Sequence, residues 1–418
     1  MIRKLPAYRV FLIISGAAAV LFTTYGFITA IYRVQTAGLN PLQLVLVGTV
    51  LELSVFLFEI PTGLVADVYS RRQSVIIGYA LIGAGFVLEG SLPLFATILL
   101  AQVLWGVGYT FISGAQDAWL ADEIGEERLT QAYLRASQMG RLGALAGILI
   151  GMSLGTVRLG LPMLIAGGCF VALSFFLILF MPETGFAPTP RPERNSWGKM
   201  GDTFRDGLEV VRGRSTLMLI LAITVFFGLS SEGWDRLREA HLLENFTFPV
   251  VGPLEGPVLW FGALSIAGLA LSFSATEVIR RRVKEEQAAA LIGMQLGLNL
   301  VVIGGIAFFG LARTFGPAVA AMTAVYVARS ANGPLFRGWI NKQIEPRVRA
   351  TVLSMWGQMD AIGQIIGGPI LGAVATAISI PAAMGGVALL LTPVPVLFLV
   401  ALRWTVRAKE RGAIERGV

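Results

Sequence analysis

The chain has 418 residues, of which 55% are hydrophobic and 14% charged, whereas a soluble domain carries about 25% charged residues. Water is therefore not its main solvent. One cysteine, Cys169, and one histidine, His241, exclude a disulfide framework, a zinc cluster and a Ser/His/Asp site with any redundancy, so neither a metal nor a cofactor is expected. A net charge of +7 would suit nucleic acid only if the cations shared one surface. They do not.

A bilayer core needs about 20 apolar residues per helix, and twelve runs of that order emerge in chain order. Spans one to six cover 9–32, 42–65, 73–93, 95–120, 135–156 and 161–181. Spans seven to twelve cover 216–241, 254–277, 287–311, 315–340, 350–377 and 381–403. The opening run follows Arg3 and Lys4 as a secretory leader would, but it stays apolar to Ile31, longer than a leader core, and reads as a retained helix. After Pro182-Glu183-Thr184, residues 183–214 form the long polar stretch. The expectation is an all-α membrane protein of twelve transmembrane helices, with bundles at 1–182 and 215–418 and a cytoplasmic linker at 183–214. Lysine and arginine stay on the cytoplasmic side. With the N-terminus inside, 27 of the 33 fall on inner segments, Arg337 among them, while Arg33, Arg158 and Arg313 fall on outer loops. Both termini are thus placed in the cytoplasm, in a multi-pass protein of the inner or plasma membrane, and the nucleic-acid reading drops out.

Ionisable residues at bilayer depth are costly and by default functional. Glu52 lies about 16 Å into span two and Asp360 about 15 Å into span eleven, so both are candidate proton or substrate sites. Low dielectric favours a neutral carboxyl, which suits a group that takes up and releases protons; the alternative is a hydrogen-bonded residue in bundle packing. Arg329, about 21 Å into span ten, either binds an anionic group or neutralises Asp360 or another acid. Glu59, seven residues from Glu52, belongs nearer the inner end. At the outer mouth of span seven, Glu232 with Arg236 and Asp235 with Arg238 have i,i+4 and i,i+3 spacing, as an outer gate or an interfacial ladder would. His241 reads as a polar helix end.

The chain resembles itself at half-length. Ala66-Asp67-Val68-Tyr69-Ser70-Arg71-Arg72 aligns with Thr276 to Arg282 at a shift of 210, and Arg128, Thr130, Gly147 and Gly151 align with Arg349, Thr351, Gly368 and Gly372 at a shift of 221. Duplicated halves are characteristic of secondary transporters. Gly63 would allow close backbone approach, Asp67 would accept hydrogen bonds from a helix N-terminus, and Arg71 and Arg72 would pair with acids on span four: Asp117, Asp122 and Glu123. Small residues at four-residue spacing, Gly143, Gly147, Gly151 and Gly155, form a flat ridge on span five, and Gly363 or Gly368, Pro369 and Gly372 do so on span eleven.

The run Gly63-Leu64-Val65-Ala66-Asp67-Val68-Tyr69-Ser70-Arg71-Arg72 resembles the signature loop of the major facilitator superfamily, with Ser70 at the later glycine. Twelve spans, the central inner loop and the degenerate repeat extend the likeness over nearly the whole chain. The resemblance implies the major facilitator fold, two six-helix bundles facing a central cavity that opens alternately to either side. It implies an inner gate at Gly63, Asp67, Arg71, Arg72, Asp117 and Asp122. It also implies that spans one, four, seven and ten line the cavity, which makes Tyr25, Tyr32, Gln102, Trp105, Tyr109 and Asn332 candidate contacts. The glycine-rich span five is similar to exporters, although Ile148 stands at the site equivalent to Pro369, and Glu232-Gly233-Trp234-Asp235-Arg236-Leu237 resembles bacterial tetracycline and multidrug efflux members. The expected function is proton-coupled efflux of amphipathic or drug-like molecules, through a cavity with few fixed charges. The alternative is a symporter importing a nutrient or organic anion, with the anion on Arg329. Sodium remains an alternative coupling ion. No nucleophile and base pair or phosphate loop is found, so an enzyme is not expected. Two bundles need no partner to form a cavity, and a monomer is expected.

Overall fold

The computed structural model describes residues 4–188, 205, 212–282, 288–344 and 349–416. Most of the expected linker, 189–204 and 206–211, lies outside the described residues. Span one is Ala7–Ile31, continued by one π-helical turn, Tyr32–Thr36. Spans two and three are Pro41–Val68 and Arg71–Ser91. Span four is broken into Phe95–Ile112 and Ala115–Ile124, and spans five and six are Glu126–Val157 and Leu161–Phe180. Spans seven to eleven are Ser215–Asn245, Gly256–Arg282, Ala288–Leu311, Phe315–Gln343 and Arg349–Ala377, and span twelve is Ile380–Leu391 followed by Pro393–Arg416. Among the described residues eleven helices are long and apolar enough to cross a membrane. The twelfth, span ten, has 29 residues and carries Arg329, Arg337 and Lys342.

Local chemistry sets several helix ends. Asn40 and Gln43 cap span two reciprocally, at 2.9 and 3.0 Å, ahead of Pro41, whose missing N–H costs nothing at a first turn. Ser70 caps span three by accepting from the Gln73 amide at 3.0 Å, and Ser379 caps span twelve from Ala382 at 3.2 Å. The break in span four falls at Gly114, with φ +64°, where a side chain would be strained.

The chain divides into two compact units, Met1–Met200 with Phe248–Ala263, and Gly201–Thr247 with Leu264–Val418. Within the first, span five lies on span one, and span three packs on spans four and six. The second repeats this pattern with spans seven, eleven, nine, ten and twelve. Lipid supplies no hydrophobic drive between helices, so close backbone approach has to hold them. The glycine ridge of span five provides it: a Cβ on Gly143 would meet Gly16 O at 3.0 Å and Ala19 Cβ at 2.9 Å, and one on Gly147 would meet Val20 O at 2.6 Å. On span eleven, Gly363 faces Val225 O at 2.8 Å and Gly228 Cα at 2.9 Å, and Gly367 faces Leu229 O. Gly16, Ala19 and Val20 therefore correspond to Val225, Gly228 and Leu229, and Gly143 and Gly147 to Gly363 and Gly367. This register is 220 for the fifth helices rather than the 221 that the sequence suggests, because backbone contact defines equivalence and residue identity does not. Leu149, not Ile148, then corresponds to Pro369.

Candidate functional site

The signature loop is tied down within the first unit. Arg71 donates to Asp122 and, at 3.0 Å, to the Ala118 carbonyl, with Asp67 3.8 Å away. Among the described residues Arg72 reaches no acid through its side chain; it donates to Ile178 O at 2.6 Å, while its amide and the Ser70 hydroxyl bind Glu183 at 2.8 and 2.7 Å. Glu123 accepts from the Thr184 amide and hydroxyl and from Gly185, and Asp117 accepts from the Tyr133 hydroxyl at 3.1 Å. Two expectations need correction. A Cβ on Gly63 would meet nothing within 4 Å, so it supports no close approach here, and Asp67 lies beside Arg71 rather than at a helix N-terminus.

The expected cavity set separates. Tyr25, Tyr32 and Gln102 do not face open space; they close around Glu89 of span three, which is 0% exposed. Arg33, at the π-helical end of span one, donates to Glu89 through Nε at 2.8 Å and Nη2 at 3.2 Å. Tyr25 Oη and Gln102 Nε2 donate to the same carboxylate at 2.6 and 2.9 Å, and Tyr32 Oη donates to the Glu89 carbonyl at 2.7 Å. Phe86 stacks on Tyr25 at 3.5 Å, and Trp105 meets both rings edge-on at 5.3 Å. A buried carboxylate with this many donors, one of them charged, is satisfied rather than available. Arg33 therefore belongs to this buried knot and not to an outer loop. Tyr109 stays exposed on span four, in surroundings shared with Glu52, Glu59 and Asp117; Glu52 is half-buried.

The second unit contains a cavity of about 400 Å³ built from helix faces. Span seven lends Phe227, Ser230, Ser231, Trp234 and Asp235, and span ten lends Arg329, Asn332, Gly333, Phe336 and Arg337. Both sets follow the i, i+3, i+4, i+7, i+8 spacing of one helical face. Span eleven adds Trp356, Asp360 and Gln364 one turn apart, and span nine adds Asn299. Arg329 is paired, but with Asp235 and not Asp360: Nη1 lies 2.7 Å from Oδ1 and Nη2 3.1 Å from Oδ2, the bidentate fork that fixes both groups. Arg238 also reaches Asp235, at 2.6 Å, and Arg236 holds Glu232 at 3.0 Å, so the intrahelical ladder of span seven is present. Asp360 accepts from Gln364 at 2.9 Å and meets no cation at salt-bridge distance among the described residues. Asn332 donates to Asn299 at 3.4 Å, leaving its own oxygen unpartnered.

Nine of the eighteen lining residues are polar, four of them ionisable, so the expectation of few fixed charges is corrected. Asn299 and Arg337 are cavity residues that the sequence reading passed over. The facial spacing on span ten, counted from Arg329, would have found Arg337. His241 is buried, 3.3 Å from the Phe309 carbonyl and 3.0 Å from the Asn245 amide nitrogen, as a packed helix-end residue.

A multi-pass helical fold with a polar cavity lined by spans seven, nine, ten, eleven and twelve is the architecture of a membrane transport protein. Residues 10–325 match the family model of the Major Facilitator Superfamily, and the chain belongs to that superfamily. It is 22% identical over 343 residues, 82% of each chain, to the uncharacterized MFS-type transporter YxaM of Bacillus subtilis (strain 168). Among solved structures it resembles the nucleoside transporter NupG, with a TM-score of 0.73 at 13% identity over 96% of this chain and 99% of that one. It also resembles a POT family transporter in complex with 5-aminolevulinic acid, with a TM-score of 0.72 at 14% identity over 96% of both chains. At these identities the structures share the fold.

Proposed function

We propose that the protein is a proton-coupled secondary transporter of small amphipathic molecules, working by alternating access, with Asp360 as the proton-carrying group. The observation that carries this reading is Asp360 itself, a cavity carboxyl whose partner is the Gln364 amide while Asp235 beside it holds Arg329. An acid at bilayer depth without a paired cation favours taking up a proton, and a transport cycle uses that exchange. Glu52, at comparable depth on span two, is the second carboxyl of the proposal, and the Arg71–Asp122 tie is its inner latch. The lysine and arginine asymmetry supports cytoplasmic termini in an inner or plasma membrane, and the bundles 1–182 and 215–418 act as a monomer.

Exporter-like features in spans five and seven support efflux of drug-like molecules by antiport. The polar half of the cavity lining favours a second reading, uptake by symport. Proteoliposomes with an imposed pH gradient and a panel of amphipathic dyes test the proposal. The native protein should move dye only with the gradient, Asp360→Asn should lose that dependence, and the direction of movement separates the two readings. Movement indifferent to the gradient, or unchanged in Asp360→Asn, would overturn coupling at this residue.

A further inference from the structure

The transport reading above leaves the charge of the cargo open, and the second unit's cavity bears on it. Of its two arginines, Arg329 is engaged by both oxygens of Asp235. Arg337 is not so engaged. Its guanidinium lies 5.8 Å over the ring of Trp356, and among the described residues no carboxylate pairs with it. The Trp356 indole N–H is itself buried without an acceptor. Arg337 stands eight residues, about 12 Å, along span ten from Arg329, and Trp356 one turn, about 6 Å, from Asp360 on span eleven. The cavity is therefore polarised: a neutralised ion pair toward one end, and toward the other a cation that no carboxylate among the described residues compensates, with a spare donor beside it.

We propose that Arg337 and Trp356 form an anion-recognising end of this cavity, and that the cargo is an amphipathic organic anion, an apolar or aromatic body bearing a carboxylate, sulfonate or phosphate. This proposal rests on the transport reading for the word cargo only. The attraction of a cation to an aromatic face is weak at an exposed site, and charge-assisted bonds to an anion are stronger, so an arriving anion takes the guanidinium from the ring. Phe227 and Phe336, in edge contact at 5.5 Å, supply apolar surface for its body. The charges around Asp360 are Arg329 on span ten and Asp235 and Glu232 on span seven, the last held by Arg236. Because Asp235 and Arg329 cancel, a neutral Asp360 leaves the lining with the single positive charge of Arg337. Proton and anion then assist each other's binding, the sign of coupling that symport requires.

The test uses the detergent-solubilised full-length protein and two fluorescent probes on one naphthalene body, an anilinonaphthalene sulfonate and its trimethylammonium counterpart. The sulfonate should bind at least tenfold more tightly. Arg337→Gln should remove that preference, Arg337→Lys should keep most of it, and Asp360→Asn should tighten sulfonate binding severalfold. Elution profile and thermal unfolding check that each variant folds; Trp356→Phe, which deletes the indole donor and keeps a ring, should weaken the sulfonate about threefold and serves if Arg337→Gln is unstable. Equal or tighter binding of the ammonium probe, or unchanged sulfonate affinity in the folded Arg337 variants, overturns the proposal. Displacement by phosphatidylglycerol but not phosphatidylcholine would make the anion a lipid, and no displacement a soluble molecule. Sulfonate binding without gradient-driven movement would sink the coupled-transport reading and leave the anion site standing, whereas gradient-driven movement of the ammonium probe alone would do the reverse.

Discussion

The two units share a packing pattern and use the charges within their spans in opposite ways. In the first, Arg33 and Glu89 are fully enclosed, with Tyr25 and Gln102 completing the carboxylate's shell. In the second, Asp235 and Arg329 form an equally well-made pair, but on the wall of a cavity that also exposes Asp360 and Arg337. Saturating an acid's acceptors makes a structural rivet; leaving donors and acceptors over makes a site. The glycine ridges are common to both units, so the two share a scaffold and differ in the polar residues set on it.

The sharpest break in this comparison is Glu89→Leu. It strands the Arg33 guanidinium in the core, and removing one partner of a buried pair costs about 3–5 kcal/mol. Thermal unfolding in detergent should show a large loss, and Arg33→Leu with Glu89→Leu should recover most of it; failure to recover would mean that the pair does more than satisfy itself. Next comes the shared scaffold. Gly147→Val and Gly363→Val drive a side chain into backbone at 2.6 and 2.8 Å, and overpacking of this kind costs about 1–3 kcal/mol. Gly63→Ala, facing open space, should leave the melting temperature unchanged.

Asp235→Asn sharpens the functional side. Its pair is about one-third exposed, so the stability change should be small, yet dye movement should fall about tenfold, because Arg329 is freed to seek Asp360. The reciprocal exchange Asp235→Arg with Arg329→Asp should restore part of it. Equal losses of stability and transport would instead make this pair another rivet. The smallest effect is expected at Arg281→Gln, whose i,i+4 partner Glu277 is held by a side chain 74% exposed; unfolding should move by no more than about 0.5 kcal/mol.

Part of the candidate site was legible in the sequence. Asp360, Arg329, Asn332 and Asp235 stand out because charge and amide are rare in apolar runs, and the spacing of Glu232 with Arg236 already implied their bond. Tyr25, Tyr32 and Gln102 were visible as polar groups, but their depth alone could not distinguish lining a cavity from feeding hydrogen bonds to Glu89. Arg337 looked like one more cytoplasmic cation, because counting charges per segment ignores which face of the helix they occupy.

The sequence by itself determined the number and approximate extent of the spans, the signature loop and the internal repeat, since each depends on hydropathy or on residue spacing along the chain. Tertiary structure decided the one-residue register between the halves, which acid Arg329 holds, and which polar groups are closed off. Those outcomes depend on helices far apart in the chain: a polar group in the bilayer that its own helix does not satisfy must find its partner on another helix or in a water-lined cavity. Helical periodicity fixes the face a residue occupies and says nothing of what that face will meet.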